Sequence, residues 1–258
     1  MVNYKKIARE ARLGILEMIY QAQSSHIGSN YSSVDILAVL FEMMDLEKDK
    51  LIISKGWIAA AVYWFLAEKG IIPKEDLKRY CVDGENKYIG LTEPHKKFGL
   101  EFAGGSMGYG LPAGVGYAMS KKIKKEEGNV YVLMGDGELA IGTTWESALI
   151  AAHHNLNNLY VIVDNNFLQA MGSVHQILKV EPLKDKWEAF SWHYEEMNGH
   201  RHDQMEIKLR PTLRDRPSIF IAKTTKGKGV SFMENDNIWH YKAPSEEEYA
   251  KARLQLSS

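Results

Sequence analysis

Two polar pairs, each closing a short apolar run, constrain this chain more than anything else in it. Gly135-Asp136-Gly137 follows Val130-Tyr131-Val132-Leu133-Met134, and Asn165-Asn166 follows Tyr160-Val161-Ile162-Val163, with Asn165 standing 29 residues after the aspartate. Apolar runs of that length and β-branched content read as strands buried on both faces, as in a parallel sheet. The stretch from Thr143 to about His154 between them reads as a helix. The unit is strand, loop, helix, strand, and both polar pairs fall at strand carboxyl ends, where open α/β sheets bind ligands. An aspartate and an asparagine there offer hard oxygen donors of low total charge, which suits Mg²⁺ completed by phosphate oxygens, water and a main-chain carbonyl. As a bare pattern the pairs also fit ordinary strand-end turns, because Gly, Asp and Asn all favour turns.

Strands alternate with helices along the rest of the chain. A helix is expected over about Tyr4 to Gln23, another over Val34 to Met44 capped by Ser32 or Ser33, a strand at Leu51 to Ser54, and a helix from Trp57 to Glu68 ended by Gly70. Gly104 to Gly116 carries six glycines and leads into a helix with Pro112 in its first turn. Lys121 to Gly128 reads as a solvated turn, Ser218 to Ala222 as a buried strand, and Ser245 with Glu248 as a capping box opening the last helix. The expected fold is α/β: one doubly wound, mostly parallel sheet with helices on both faces, as a single domain over 1–258.

Composition excludes more than it proposes. The 258 residues are 45% hydrophobic and 25% charged, ordinary values for a globular chain. A net charge of −1 gives no basic field for nucleic acid. Cys81 is the single cysteine, which excludes an internal disulfide and fits a reducing cytoplasm. Met1 to Arg12 lacks a signal-peptide core, and no run approaches roughly 18 apolar residues, so no membrane span is expected and a cytoplasmic location is.

Gly135-Asp136-Gly137-Glu138-Leu139, Trp145-Glu146-Ser147-Ala148, Ala151-Ala152-His153-His154 and Leu159 to Asn166 together resemble the transketolase family, in which this run is the thiamine diphosphate motif. The resemblance extends from Ser25-His26-Ile27-Gly28 to Lys226-Gly227-Lys228-Gly229 and Trp239-His240. A full transketolase is more than twice as long, so the chain looks like the N-terminal, diphosphate-binding subunit of a split transketolase, lacking the pyrimidine domain. The resemblance implies metal ligands Asp136, Asn166 and the main-chain carbonyl of Leu168, with Mg²⁺ (or Ca²⁺ or Mn²⁺ in its place) holding the diphosphate, a charge too costly to bury unpaired. It implies cofactor contacts from Gly105, Met107, Gly137 and His240, Gly137 because a side chain there would obstruct the phosphate. His26 and His240 match histidines that face the substrate. His153 and His154 are adjacent on a helix, cannot chelate as a facing pair and read as structural.

Several positions depart from the family pattern. Ser106 and Tyr109 replace a proline and a glutamine, and Ile141 stands where a glutamate usually joins an acidic relay between two active sites. Glu146, the relay's other position, also fits a capping box with Thr143. Trp57 replaces a histidine, and aligning back from Glu101 puts Leu91 at another, with His95 four residues away. An apolar residue there cannot hydrogen-bond a ketol hydroxyl. In the family a glutamate that activates the cofactor comes from the pyrimidine domain. The expected protein is therefore a transferase subunit, active only with a C-terminal transketolase-like partner (pyrimidine-binding and C-terminal domains) in an α₂β₂-like assembly. It would move a two-carbon ketol unit between sugar or sugar-phosphate substrates. Alternatives are acyl transfer from a 2-oxo acid donor to a sugar carbonyl, motivated by Trp57 and Leu91, and a non-catalytic cofactor-binding or regulatory subunit.

Overall fold

The computed structural model describes residues 2–84, 87–95, 100, 102, 104–212 and 214–257; Glu101, used above to align Leu91, lies outside them. The described residues form a five-stranded, all-parallel sheet of β1 (Lys50–Ile53), β2 (Val130–Gly135), β3 (Leu159–Asn165), β4 (His193–Asn198) and β5 (Ser218–Lys223) in the order β1-β2-β3-β5-β4. The two-residue side-chain period of the strands sorts their apolar residues between two layers. Tyr131, Leu133, Tyr160, Ile162 and Phe220 pack against α1 (Tyr4–Ala22), α2 (Ile27–Met43) and α3 (Ala59–Glu68). Val130, Val132, Val161, Val163, Ile219 and Ile221 face α4 (Gly110–Lys124) and α5 (Gly142–His153). The short α6 (Val174–Ile177) precedes α7 (Leu183–Ala189) on that second layer, while α8 (His202–Leu209) and α9 (Glu246–Ser257) join the first. The doubly wound parallel sheet expected from the sequence is the one observed. Among the described residues no helix is long and apolar enough to cross a membrane.

Three local expectations are corrected. The second helix starts at Ile27, not Val34, with His26 as N-cap in the left-handed conformation. Ser32 and Ser33 do not cap it: both hydroxyls donate to the Ser29 carbonyl and to the buried Asp164 carboxylate. Lys121 is a buried helical residue of α4, its ammonium on the Glu127 carbonyl, and not part of a solvated turn. The box between Thr143 and Glu146 does not form, since Ile141 is the N-cap of α5 and the Thr143 hydroxyl donates to the Gly108 carbonyl. The box of Ser245 and Glu248 does form, with Glu248 N–H to Ser245 Oγ at 3.3 Å and Ser245 N–H to Glu248 Oε2 at 2.9 Å.

The glycine-rich segment is seated on the end of β1 by backbone-to-backbone contact. A Cβ on Gly104 would lie 2.2 Å from the Ile53 carbonyl oxygen, and one on Gly56 would lie 2.4 Å from the Gly104 carbonyl carbon. Gly104→Ala is expected to lower stability by about 1–3 kcal/mol through overpacking against immovable backbone. An unchanged urea midpoint would show that the segment does not sit there.

Candidate functional site

The carboxyl ends of β1, β2 and β3 open onto a cleft of about 680 Å³, closed on its other sides by the start of α2 and by His240. His26, Gly105, Met107, Asp136, Gly137, Asn166, Leu168 and His240, the eight residues singled out from the sequence, all line it. So does Trp57. Leu91 and His95 do not: Leu91 lies beneath Gly105, and His95 pairs through its backbone with Leu100. His95 therefore does not substitute for the missing imidazole.

Asp136 and Asn166 are each nine-tenths buried. Asp136 Oδ2 accepts the Phe167 N–H at 2.6 Å, and Asn166 Oδ1 accepts the Leu168 N–H at 3.0 Å. Phe167 adopts a left-handed conformation (φ 62°), which turns the chain sharply between the asparagine and Leu168. Burial, and after it the Asp164 carboxylate, push Asp136 up to about 7, against the opposing pull of Lys55. A carboxylate so disfavoured is stabilised by a cation. Among the described residues no three His, Cys, Asp or Glu side chains are grouped to hold a metal. A hard cation here would draw on the Asp136 carboxylate, the Asn166 amide and the Leu168 carbonyl, a donor set that fits Mg²⁺ sharing its shell with phosphate. Gln169, whose Nε2 is buried and unpartnered, fills the space beside Gly137, where a Cβ would lie 3.1 Å from its side chain. That nitrogen is a donor suited to an anion in the cleft.

Two lysines border the site. Lys55 lies 2.5 Å from Asp164, whose Oδ2 also accepts from Ser32 and Ser33 and whose Oδ1 accepts from Thr224. Burial would raise Asp164, but Lys55 outweighs it and holds the carboxyl below its usual range. Lys226 is fully buried and reaches His240 Nδ1 at 2.9 Å and Asn237 Oδ1 at 3.0 Å. Burial, then repulsion from Lys55, pulls it down to about 8. A diphosphate beside these ammonium groups would offset their mutual repulsion.

The same cations keep both histidines neutral. Burial, then Lys226 and Lys55, depress His26 to about 4; burial, Lys226, His26 and Lys55 depress His240 to about 3. Since His240 Nδ1 accepts from an ammonium, its proton sits on Nε2. The two rings lie 4.6 Å apart, and Trp57 stacks on His26 at 4.6 Å and 12°. Glu138, only 2% exposed, accepts from the Ser54 hydroxyl and from the Gly108 and Gly135 N–H groups, which fixes the glycine-rich loop to two strand ends.

Sequence reasoning assigned no role to Lys55, Lys226, Asp164 or Glu138. For the lysines a signal was present: each follows an apolar strand within a few residues, at the carboxyl edge where ligands bind.

The raised Asp136 fixes a pH dependence. Between about pH 4 and 7 the folded chain holds a proton on this group that the unfolded chain has lost, so stability without metal falls as pH rises through that window. Asp136→Asn is expected to stabilise the chelator-treated protein at pH 8 by about 1–3 kcal/mol and to abolish any gain in Tm from Mg²⁺. A variant less stable than wild type under chelator at pH 8 would contradict the electrostatic account.

Comparison with known proteins agrees with this geometry. The family model for the transketolase thiamine diphosphate-binding domain matches residues 3–257. One of the two subunits of an apulose-4-phosphate transketolase from Phocaeicola vulgatus is 35% identical, the match covering 95% of this chain and 91% of that protein. A 6-deoxy-6-sulfo-D-fructose transketolase subunit from a Clostridium species is 33% identical over 93% of this chain and 91% of its own length. The crystal structure of Campylobacter jejuni transketolase superposes with a TM-score of 0.91 at 28% identity, covering all of this chain and 43% of that one. The chain belongs to the transketolase family and corresponds to its thiamine diphosphate-binding domain.

Proposed function

We propose that this chain is the diphosphate-binding subunit of a thiamine diphosphate- and Mg²⁺-dependent transferase. It moves a two-carbon ketol unit from a ketose or ketose-phosphate donor to an aldose acceptor, and works only with a separate pyrimidine-domain subunit in an α₂β₂-like assembly. The observation that carries this reading is the convergence of Asp136, Asn166 and the Leu168 carbonyl with two neutral imidazoles in one cleft. Relatives that this chain matches over about nine-tenths of their length are themselves named as transketolase subunits. The pyrimidine domain and its activating glutamate would come from the partner.

When bound, thiamine diphosphate supplies the chemistry that breaks and remakes a carbon–carbon bond beside a carbonyl. This chain's residues do the rest. Asp136, Asn166 and the Leu168 carbonyl hold the metal, and Lys226 and Gln169 meet the anion. Gly105 and Met107 wall the cleft on the glycine-rich side. His240, with its proton on Nε2, and His26, neutral at physiological pH, can each pass a proton to or from a donor oxygen in the cleft mouth. His240 also lies within reach of the diphosphate through Lys226.

One observation favours a second reading. Trp57, 45% exposed and stacked on His26, puts an apolar wall where a hydroxyl partner would serve a ketol donor. Such a mouth suits a less hydroxylated donor, a 2-oxo acid passing its acyl unit to a sugar carbonyl after loss of CO₂.

Purified alone the chain is expected to be inactive. Capture from its own cells with Mg²⁺ and thiamine diphosphate is expected to recover the pyrimidine-domain partner. In that complex Asp136→Ala should lower activity by at least about 10²-fold, since it removes the anionic metal ligand. Unchanged activity would favour a binding or regulatory subunit instead. Offering the complex xylulose 5-phosphate and pyruvate separately decides between the donors: turnover of the ketose alone eliminates the acyl reading, and turnover of pyruvate alone eliminates the ketol one.

A further inference from the structure

A cluster of titratable groups lies outside the cleft, at the ends of β4 and β5. Asp35, on α2 and 4% exposed, receives Arg12 at 2.6 Å, His200 Nδ1 at 2.7 Å and His202 Nε2 at 2.8 Å. The other nitrogen of His200, Nε2, accepts the backbone N–H of Thr225 at 2.8 Å. A nitrogen that accepts an N–H carries no proton, so this imidazole is held in one neutral tautomer, Nδ1–H towards the carboxylate and Nε2 towards the main chain.

Thr225 sits between two cleft groups. Thr224 donates its hydroxyl to Asp164, and Lys226 reaches His240 Nδ1, Asn237 and the Gln169 carbonyl. The turn that carries His200 presses directly on this segment: a Cβ on Gly199 would lie 2.4 Å from the Thr224 methyl, and the Gly199 N–H donates to the Lys223 carbonyl at 2.8 Å. The β5 turn is thus clamped from behind by the β4 turn, and the clamp is anchored on α2 through Asp35.

We infer that His200, oriented by Asp35, is a positioning residue that fixes the Thr224–Lys226 turn and so holds the Lys226 ammonium where it meets the anion in the cleft. The inference rests on the cofactor reading above and concerns a residue that touches neither metal nor cofactor.

Two substitutions separate positioning from mere packing. The Asn side chain of His200→Asn keeps a donor for Asp35 and ends short of Thr225; the longer amide of His200→Gln can donate to Asp35 and accept from Thr225 at once. Binding of inorganic pyrophosphate with Mg²⁺, and of thiamine diphosphate, is measured by calorimetry on the full chain. His200→Asn is expected to weaken both about ten-fold, the effect of losing one buried hydrogen bond. His200→Gln should stay within about two-fold of wild type, and His200→Asn should add nothing in a Lys226→Ala background. Wild-type affinity in His200→Asn overturns the inference, as does an equal loss in His200→Gln or a loss that persists without Lys226. ¹⁵N spectra of the wild-type imidazole provide a test independent of any variant, because a proton on Nε2 of His200 would also overturn it. A wild-type chain that binds neither probe overturns the cofactor reading and this inference together.

Discussion

The buried ion pair of Lys55 and Asp164 holds the site together. Asp164 closes β3 with no exposed surface, and its two oxygens collect an ammonium from the end of β1, two hydroxyls from α2 and one from the turn after β5. Four segments far apart in sequence are fastened to one carboxylate. Removing one partner of such a pair strands a charge in low dielectric and costs about 3–5 kcal/mol, so none of the four segments can move away alone. The pair adds little as a source of stability, because its desolvation offsets its attraction. What it provides is register: the ends of β1, β3 and β5, with the start of α2, keep a fixed spacing around the cleft.

That fixed spacing has an electrostatic consequence. With Asp164 neutralised by Lys55, the remaining charges at the floor are Asp136 and Lys226, and each is pushed toward its uncharged form. Burial acts on both, and neither has a dedicated counter-ion of its own. A divalent cation at Asp136 and a polyanion at Lys226 would restore the ordinary state of each. The two histidines respond to the same field and stay neutral well below physiological pH. A cleft that holds unpaired opposite charges some distance apart, beside neutral proton carriers, is arranged for a metal–diphosphate pair more than for a simple sugar.

The sequence was most legible where a signal is local. β2, β3 and β5 are apolar because both faces are covered, and the ends of β2 and β3 carry the aspartate and asparagine that flagged the site. β4 escaped notice because it is an edge strand, reading His-Tyr-Glu-Glu-Met-Asn, with only Met197 buried. The early start of α2 escaped for a different reason. Its serines look like caps, but their hydroxyls serve a carboxylate more than 130 residues away. Lys55 with Asp164 and His200 with Asp35 are similar cases, joined across 109 and 165 residues by the sheet order alone. No spacing rule reaches that far; the crossover that inserts β5 between β3 and β4 brings them together.

The acidic relay expected between paired active sites can also be weighed on contacts. Ile141, which stands in place of the usual glutamate, packs where a Cβ on Gly108 would lie 2.3 Å from its Cγ2. Gly108 has a φ of 82°, so the loop needs glycine there, and an apolar neighbour closes the space the glycine leaves. Glu138 lies three residues before Ile141 and is buried, but its carboxylate accepts three donors at once and has no capacity left to pass charge outward. Glu146 is exposed on α5. The acid nearest the glycine-rich loop has thus become an internal clamp, and the position that would relay charge has become packing. Coupling between two copies of this site, where it occurs, must therefore run through the seating of the loop on Glu138 and Ile141, or through Glu146 alone, and not through a pair of facing carboxylates.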